Sequence, residues 1–266
     1  MPAIGHSRNE HLVLDIADNI ARLTIDRPDK RNALNQAMWC DLGSIVSKAA
    51  ADPNVRVLVI GGAGADFSAG ADIAEFDTVR RDGETARAYE AANSAAFTAV
   101  RDAAVPTIAA IRGVCFGGGF GIAAACDLRL AADDSRFSVP AARLGLAYPH
   151  DAMADIVHAC GPQYARYLTF SGAAISASEA LRVGFLAEIC APRELEARAL
   201  DIARQIAGAA PLSVRASKAA IRAVLSGSED DIASAHARGA ATFDSADYEE
   251  GRNAFRERRD PVFRGK

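Results

Sequence analysis

The stretch VCFGGGFGIAAACD, residues 114–127, decides how this chain reads. Gly117, Gly118 and Gly119 stand in a row, and Gly121 follows one residue later. Each glycine loses more backbone freedom on folding than any other residue, so this cluster weakens the helix it opens. The right flank, Ile122 to Cys126, is small and apolar and reads as a buried helix. The left flank, PTIAAI at 106–111, reads as a strand. Something therefore approaches the backbone where a strand hands over to a helix.

The same pattern occurs earlier. VRVLVI at 55–60 is a continuous apolar run, as expected of a strand buried on both faces, and it runs into GGAGADFSAGADI. Before it, HLVLDI and IARLTI alternate apolar and polar residues around Asp18-Asn19, which predicts a hairpin ended by Pro28. Met38, Leu42, Ile45, Val46 and Ala49 then lie at helical spacing, with Asn35 as the N-cap. Residues 84–102 are alanine-rich and read as a helix. Strands alternating with helices predict an α/β fold. SASE at 176–179 is a capping box, and FLAEI is the last expected strand. From Glu194 onward the pattern is helical, broken at Pro211, around Gly227 and near Ser245. This divides the chain into a core, 1–193, and a helical region, 194–266, too small to bury much alone.

Composition excludes several classes. Half of the 266 residues are hydrophobic and 24% are charged, an ordinary globular balance rather than a disordered one. The net charge of −4 offers no basic field for nucleic acid or an anionic membrane. The five cysteines lie apart with no C-x-x-C pair, and read as free thiols in a reducing compartment. No apolar run is long enough to span a bilayer. The polar start, MPAIGHSRNEH, lacks a signal-peptide core. A cytoplasmic protein without metal is the expectation.

A helix start leaves backbone N–H groups without partners and attracts negative charge. Gly118 and Ala71 each sit at such a start in this reading. Two such turns brought together offer two donors to one oxygen, an arrangement suited to a thioester enolate. Glycine clusters also serve tight turns and close helix packing. A third reading is a dinucleotide loop, because Gly119, Gly121 and Ala124 fit G-x-G-x-x-A. The acidic residue expected about 20 positions on is missing, since FSVPAA stands there.

Taken in order, DRPDKRNALN (26–35), DFSAGADI (66–73), the run 111–137, SGAAISASEALRVGFL (171–186) and PVFRGK (261–266) resemble the crotonase (enoyl-CoA hydratase/isomerase) superfamily. The resemblance covers almost the whole chain. It implies a spiral of repeated ββα units followed by a C-terminal helical region that builds homotrimers, often paired into hexamers. It implies an acyl-CoA substrate, with coenzyme A entering as part of the thioester and no separate cofactor. By the same resemblance the backbone amides of Ala71 and Gly118 form the oxyanion hole, beside Gly117. Ala69, Asp72 and Ile73, with Ala33 and Leu34, match the coenzyme A wall, and Phe263 and Lys266 match the tail that meets coenzyme A.

The resemblance also exposes a gap. Typical hydratases carry two glutamates, one three residues after the middle glycine and one after the proline of a Q-P-E-like segment. Here those positions are Gly121 and Ala141. Neither moves a proton, so hydration itself is in question. Other members place an acid or base further on, in GLAYPHDAMADIVHACG, which offers Tyr148, His150 and Asp151. Histidine suits acid–base work near neutral pH. Against this, Asp151 fits a helix N-cap, Tyr148 a rim position and His150 an exposed one. Glu75 and His158 read as surface residues, and Arg256, Arg258 and Arg259 as a solvated helix face. Three functions stay open: an acyl-CoA enzyme, a catalytically silent acyl-CoA-binding protein, and an NAD-binding oxidoreductase.

Overall fold

Asp18 and Asn19 hold φ of 52° and 62°, which closes the hairpin between β1 (Leu12–Ala17) and β2 (Ile20–Ile25). Two successive left-handed residues match the twist of the strands they join. In this computed structural model, which describes residues 10–266, the hairpin starts a six-stranded sheet. The polar stretch before residue 10 lies outside the described residues. After β2 come α1 (Gln36–Ala51), β3 (Val57–Gly62), the one-turn helix α2 (Phe76–Val79) and α3 (Gly83–Arg101). β4 (Thr107–Ile111), β5 (Val114–Phe116), α4 (Gly118–Ala125), β6 (Leu128–Ala132) and β7 (Arg136–Ser138) follow. The core continues through α5 (His150–Ser171), kinked at Gly161, then β8 (Ala174–Ser176), α6 (Ala177–Arg182) and β9 (Glu188–Cys190).

The main sheet has the order β1-β2-β3-β4-β6-β9, parallel except for the β1 edge. β5, β7 and β8 form a smaller sheet. With helices between, this is the α/β spiral that the motifs imply. The local signals act as read. Asn35 accepts from the Met38 N–H at 2.9 Å, and the five spaced apolar residues of α1 are buried. Ser176 and Glu179 complete the capping box that opens α6.

Alternation along the parallel strands explains their continuous apolar sequence. In β3, Leu58 and Ile60 face the main core, while Val57 and Val59 face the other side. That second face is covered by α7 (Leu195–Gly208), whose Leu195, Ala199, Ala203 and Ala207 pack on Ile20, Ile108 and Leu130. The sequence pattern changes at residue 193, but packing does not: α7 belongs to the core. The helices beyond it are α8 (Pro211–Ser226), α9 (Glu229–Ala241) and α10 (Ala246–Glu257). Pro211 is the first residue of α8, Gly227 its left-handed end, and Ser245 the N-cap of α10. α8 is tied back by Lys218, which donates to Asp127 at 2.7 Å and to the Val105 carbonyl at 3.0 Å. Its Ile221, Val224 and Leu225 are exposed. No helix among the described residues is long and apolar enough to cross a membrane.

Candidate active site

The two glycine turns meet. Ser68 donates its N–H to the Val114 carbonyl and accepts from Phe116, so residues 66–71 run beside β5. This brings Gly70, at φ 94°, against the start of α4. A Cβ on Gly70 would stand 2.8 Å from the Gly118 nitrogen and 2.8 Å from the Phe116 oxygen. Only glycine permits that approach. Gly118 is the first residue of α4, as the sequence predicts. Ala71 is not at a helix start. It bridges Leu34, one residue ahead of Asp72, whose carboxylate caps a short 3-10 turn at Ile73–Glu75. Even so, among the described residues neither the Ala71 nor the Gly118 N–H has an acceptor.

The four glycines of the opening stretch serve different ends. Gly117 and Gly118 line a cavity. A Cβ on Gly118 would also meet the Trp39 ring at 2.7 Å. Gly119 is packed against Ser68, where a Cβ would stand 2.5 Å from the carbonyl oxygen, and Gly121 against the Phe97 ring, where a Cβ would stand 2.6 Å from Cζ. The last two are therefore packing glycines, and no pyrophosphate fits where Ser68 and Phe97 already stand. The dinucleotide reading loses its support.

The cavity, about 90 Å³, is lined by both Ala71 and Gly118. Ala69, Ile73 and Ala141 contribute apolar wall. Its polar groups are Arg80, Glu90, Asn93 and Tyr148. Arg80 lies over the rings of Phe76 and Tyr89, at 4.6 and 4.3 Å from their centroids, and donates to Glu90 at 3.4 Å. Burial raises the Glu90 carboxyl above its ordinary range; Arg80 opposes that rise and Asp151 adds to it. Asn93 is buried, and its Oδ1 has no partner. Burial pushes the Tyr148 hydroxyl up, helped by the charge of Glu90. A Cβ on Gly117 would stand 3.8 Å from the Tyr148 Oη.

The wall behind Ala71 is rigid. Arg27 donates to Asp72 at 2.7 Å and to the Ala33 carbonyl at 3.1 Å. Burial works to raise the Asp72 carboxyl, but the Arg27 hydrogen bond, the Ala74 amide and nearby positive charge outweigh it and leave it lowered. Leu34 is fully buried under this strip. Glu75 is not a free surface residue: it accepts from the Gln36 N–H at 2.7 Å and fixes the start of α1.

Other expected residues stand elsewhere. His150 is exposed at the first position of α5 and does not line the cavity; Asp151, in the same turn, is half-buried and does not line it either. Asp151 is not the N-cap, which is Pro149. His158 is exposed. Arg259 pairs with Glu250 and Glu257 on the surface. Phe263 and Lys266 are not brought to the cavity within one chain. The Phe263 carbonyl accepts from Arg56, ahead of β3 and so at the opposite end of that strand from the glycine turn, and the Lys266 carbonyl accepts from Asp247. Sequence reading missed Arg80, Glu90 and Asn93. A signal existed for one of them, because Asn93 falls in register with the buried Tyr89, Ala96, Phe97 and Val100 of α3. A polar residue on an apolar stripe marks a place where something polar is met.

A parallel-sheet spiral with two facing glycine turns over a small cavity defines an acyl-thioester enzyme fold of the crotonase type. The chain belongs to the enoyl-CoA hydratase/isomerase family, whose sequence profile matches residues 15–266. It is 33% identical to the (E)-benzylidenesuccinyl-CoA hydratase of Thauera aromatica, over 96% of this chain and 99% of that one. It is also 33% identical to the crotonyl-CoA hydratase of Syntrophomonas wolfei, over 96% and 98%. Among solved structures, an enoyl-CoA hydratase/carnithine racemase from Magnetospirillum magneticum superposes with a TM-score of 0.90 at 34% identity, covering 97% of each chain.

Proposed function

We propose that this protein binds an acyl-CoA thioester with its carbonyl oxygen between the Ala71 and Gly118 amides, and turns it over through an enolate. The observation that carries this reading is that Ala71 and Gly118, whose backbone N–H groups have no acceptor among the described residues, line one cavity in a chain of this family. Removing one such donor typically costs ~3–4 kcal/mol of transition-state stabilisation, so two fixed donors are a large part of any rate. The cavity has room for an acyl end but not for coenzyme A as a whole. The rest of the cofactor then lies outside, along the strip of Ala69, Asp72 and Ile73 with Ala33 and Leu34. Coenzyme A is substrate here, and the reading needs no metal or separate cofactor.

The usual hydratase pair of carboxylates is replaced by Gly121 and Ala141. The two positions differ. Ala141 faces the cavity, whereas a side chain at 121 would run into Phe97. Assembly as a homotrimer, or a hexamer of two trimers, is part of the reading. The exposed Ile221, Val224 and Leu225 of α8 form an apolar face suited to a second copy.

The test is a panel of enoyl-, 3-hydroxyacyl- and malonyl-type CoA thioesters with products identified by mass spectrometry. Conversion of at least one is expected. Binding without conversion of any would favour the silent acyl-CoA-binding alternative, and no binding at all would end both readings.

A further inference from the structure

The cavity lacks both family glutamates, yet it holds a carboxylate and a buried amide on a different wall. Glu90 and Asn93 lie three residues apart on α3, so their side chains share one helical face. Both line the cavity that the Ala71 and Gly118 amides also line. Glu90 is the one carboxylate among the described residues that do so. It is held in place by Arg80, which is itself braced on Phe76 and Tyr89. Asn93 is 6% exposed, with an Oδ1 that meets nothing. A buried polar atom left unpaired destabilises the fold by ~1–3 kcal/mol, unless a ligand supplies the partner.

We propose that Glu90 is the proton-transfer group of this site, taking the α-proton of the bound thioester, and that Asn93 holds the β-hydroxyl of a 3-hydroxyacyl-CoA substrate. The inference rests on the acyl-CoA reading above. The Cα–H bond breaks, its proton goes to a Glu90 oxygen, and its electron pair delocalises onto the thioester oxygen between the two amides. The enolate then collapses to the Cα–Cβ double bond and the Cβ–O bond breaks. The departing hydroxyl takes the proton back from Glu90 and leaves as water. The carboxylate is regenerated, and no oxidant or reductant enters. The reverse sequence hydrates the enoyl thioester.

Burial favours this role, because a carboxyl raised above its ordinary range is a stronger base once ionised. The titratable groups facing Glu90 are Arg80 at the end of α2, Asp151 in the first turn of α5, and Tyr148 just before it. Arg80 lowers the Glu90 carboxyl and Asp151 raises it.

The experiment uses butyryl-CoA, which has an α-proton but no β-hydroxyl. Deuterium uptake at Cα in heavy water is followed by mass spectrometry, and affinity by calorimetry. The wild-type protein is expected to bind and to exchange. Glu90→Gln keeps the shape and a hydrogen-bond acceptor for Arg80, and is expected to bind within about threefold while exchange falls by ~10²–10⁴. The exchange rate of the wild type should rise with pH through an inflection above that of an ordinary glutamate, and Asp151→Asn should move the inflection to lower pH. Asn93→Ala should weaken binding of 3-hydroxybutyryl-CoA about tenfold more than that of butyryl-CoA. Failure of the wild type to bind butyryl-CoA would remove the acyl-CoA reading itself. Binding without exchange, or undiminished exchange in Glu90→Gln, would overturn the role of Glu90 and leave that reading standing. Equal losses for both ligands in Asn93→Ala would overturn the role of Asn93.

Discussion

Gly121 is the position where closing the usual hydratase route can be measured. Replacing it with alanine adds one methyl group to α4. In an open helix that change stabilises by ~1 kcal/mol, because alanine has less backbone freedom to lose. Here the new carbon would stand 2.6 Å from Phe97 Cζ, 2.9 Å from Cε1 and 3.2 Å from Cε2. Carbon atoms rest at about 3.5–4.0 Å, so the ring must move by about 1 Å. It has little freedom to do so, being 1% exposed and set edge-on to Trp39 with centroids 5.6 Å apart. Overpacking of this kind costs about 1–3 kcal/mol, and a pinned ring belongs in the upper part of that range. Gly121→Ala should therefore destabilise by about 1–2 kcal/mol net. In a Phe97→Ala background the obstacle is gone, and the same change should stabilise by about 1 kcal/mol. The assay is urea unfolding of the four proteins at one fixed concentration, since assembly couples to stability. The expected coupling is about 2–3 kcal/mol, with a change of sign. A neutral or stabilising Gly121→Ala in the wild-type background would refute the argument that Phe97 closes this position.

Three further outcomes follow from the same geometry. Ala141→Glu, which sets a second carboxylate into the cavity opposite Glu90, should raise crotonyl-CoA hydration at least tenfold, whereas Gly121→Glu should not, as initial-rate assays will show. Asp155 is buried beside Arg101, which donates to it at 2.8 Å, and burial still raises its carboxyl from 3.8 to about 6. The folded protein thus binds this proton more tightly than the unfolded chain, so stability falls as pH rises from about 4 to about 6. Asp155→Asn should gain on the wild type across that window by up to about 3 kcal/mol in denaturation curves, and a constant difference would contradict this. Light scattering at micromolar concentration should give a trimer or a multiple of it, and Val224→Asp on the exposed α8 face should shift it toward monomer; a wild-type monomer refutes the assembly.

Local chemistry made much of the fold legible. The Asp18-Asn19 turn, the Asn35 cap, the Ser176–Glu179 capping box and the breaks at Pro211, Gly227 and Ser245 each depend on a few neighbouring residues, and each appears in the structure. The place of α7 was not legible. Its helical pattern resembles that of α8, and only the second face of the sheet, built from strands far away in sequence, decides that α7 is core. The site divides in the same way. Gly117, Gly118 and Ala71 announce themselves because glycine turns are local. Glu90 and Asn93 reach the cavity because α3 packs against α4, a contact between distant segments that no short motif encodes. The resemblance points to His150 and Asp151 because other members place an acid or base in that segment, but the start of α5 leaves both outside the cavity.

The central claim is that the Ala71 and Gly118 amides grip a thioester oxygen, and infrared spectroscopy addresses it without any variant. Butyryl-CoA carrying ¹³C at the thioester carbonyl gives an isotope-edited band that can be followed on binding to the wild-type protein. Two fixed N–H donors polarise the carbonyl and weaken its double bond, so the account predicts a band shifted to lower frequency in the complex. A saturated complex whose carbonyl band stays where it lies in water would contradict it.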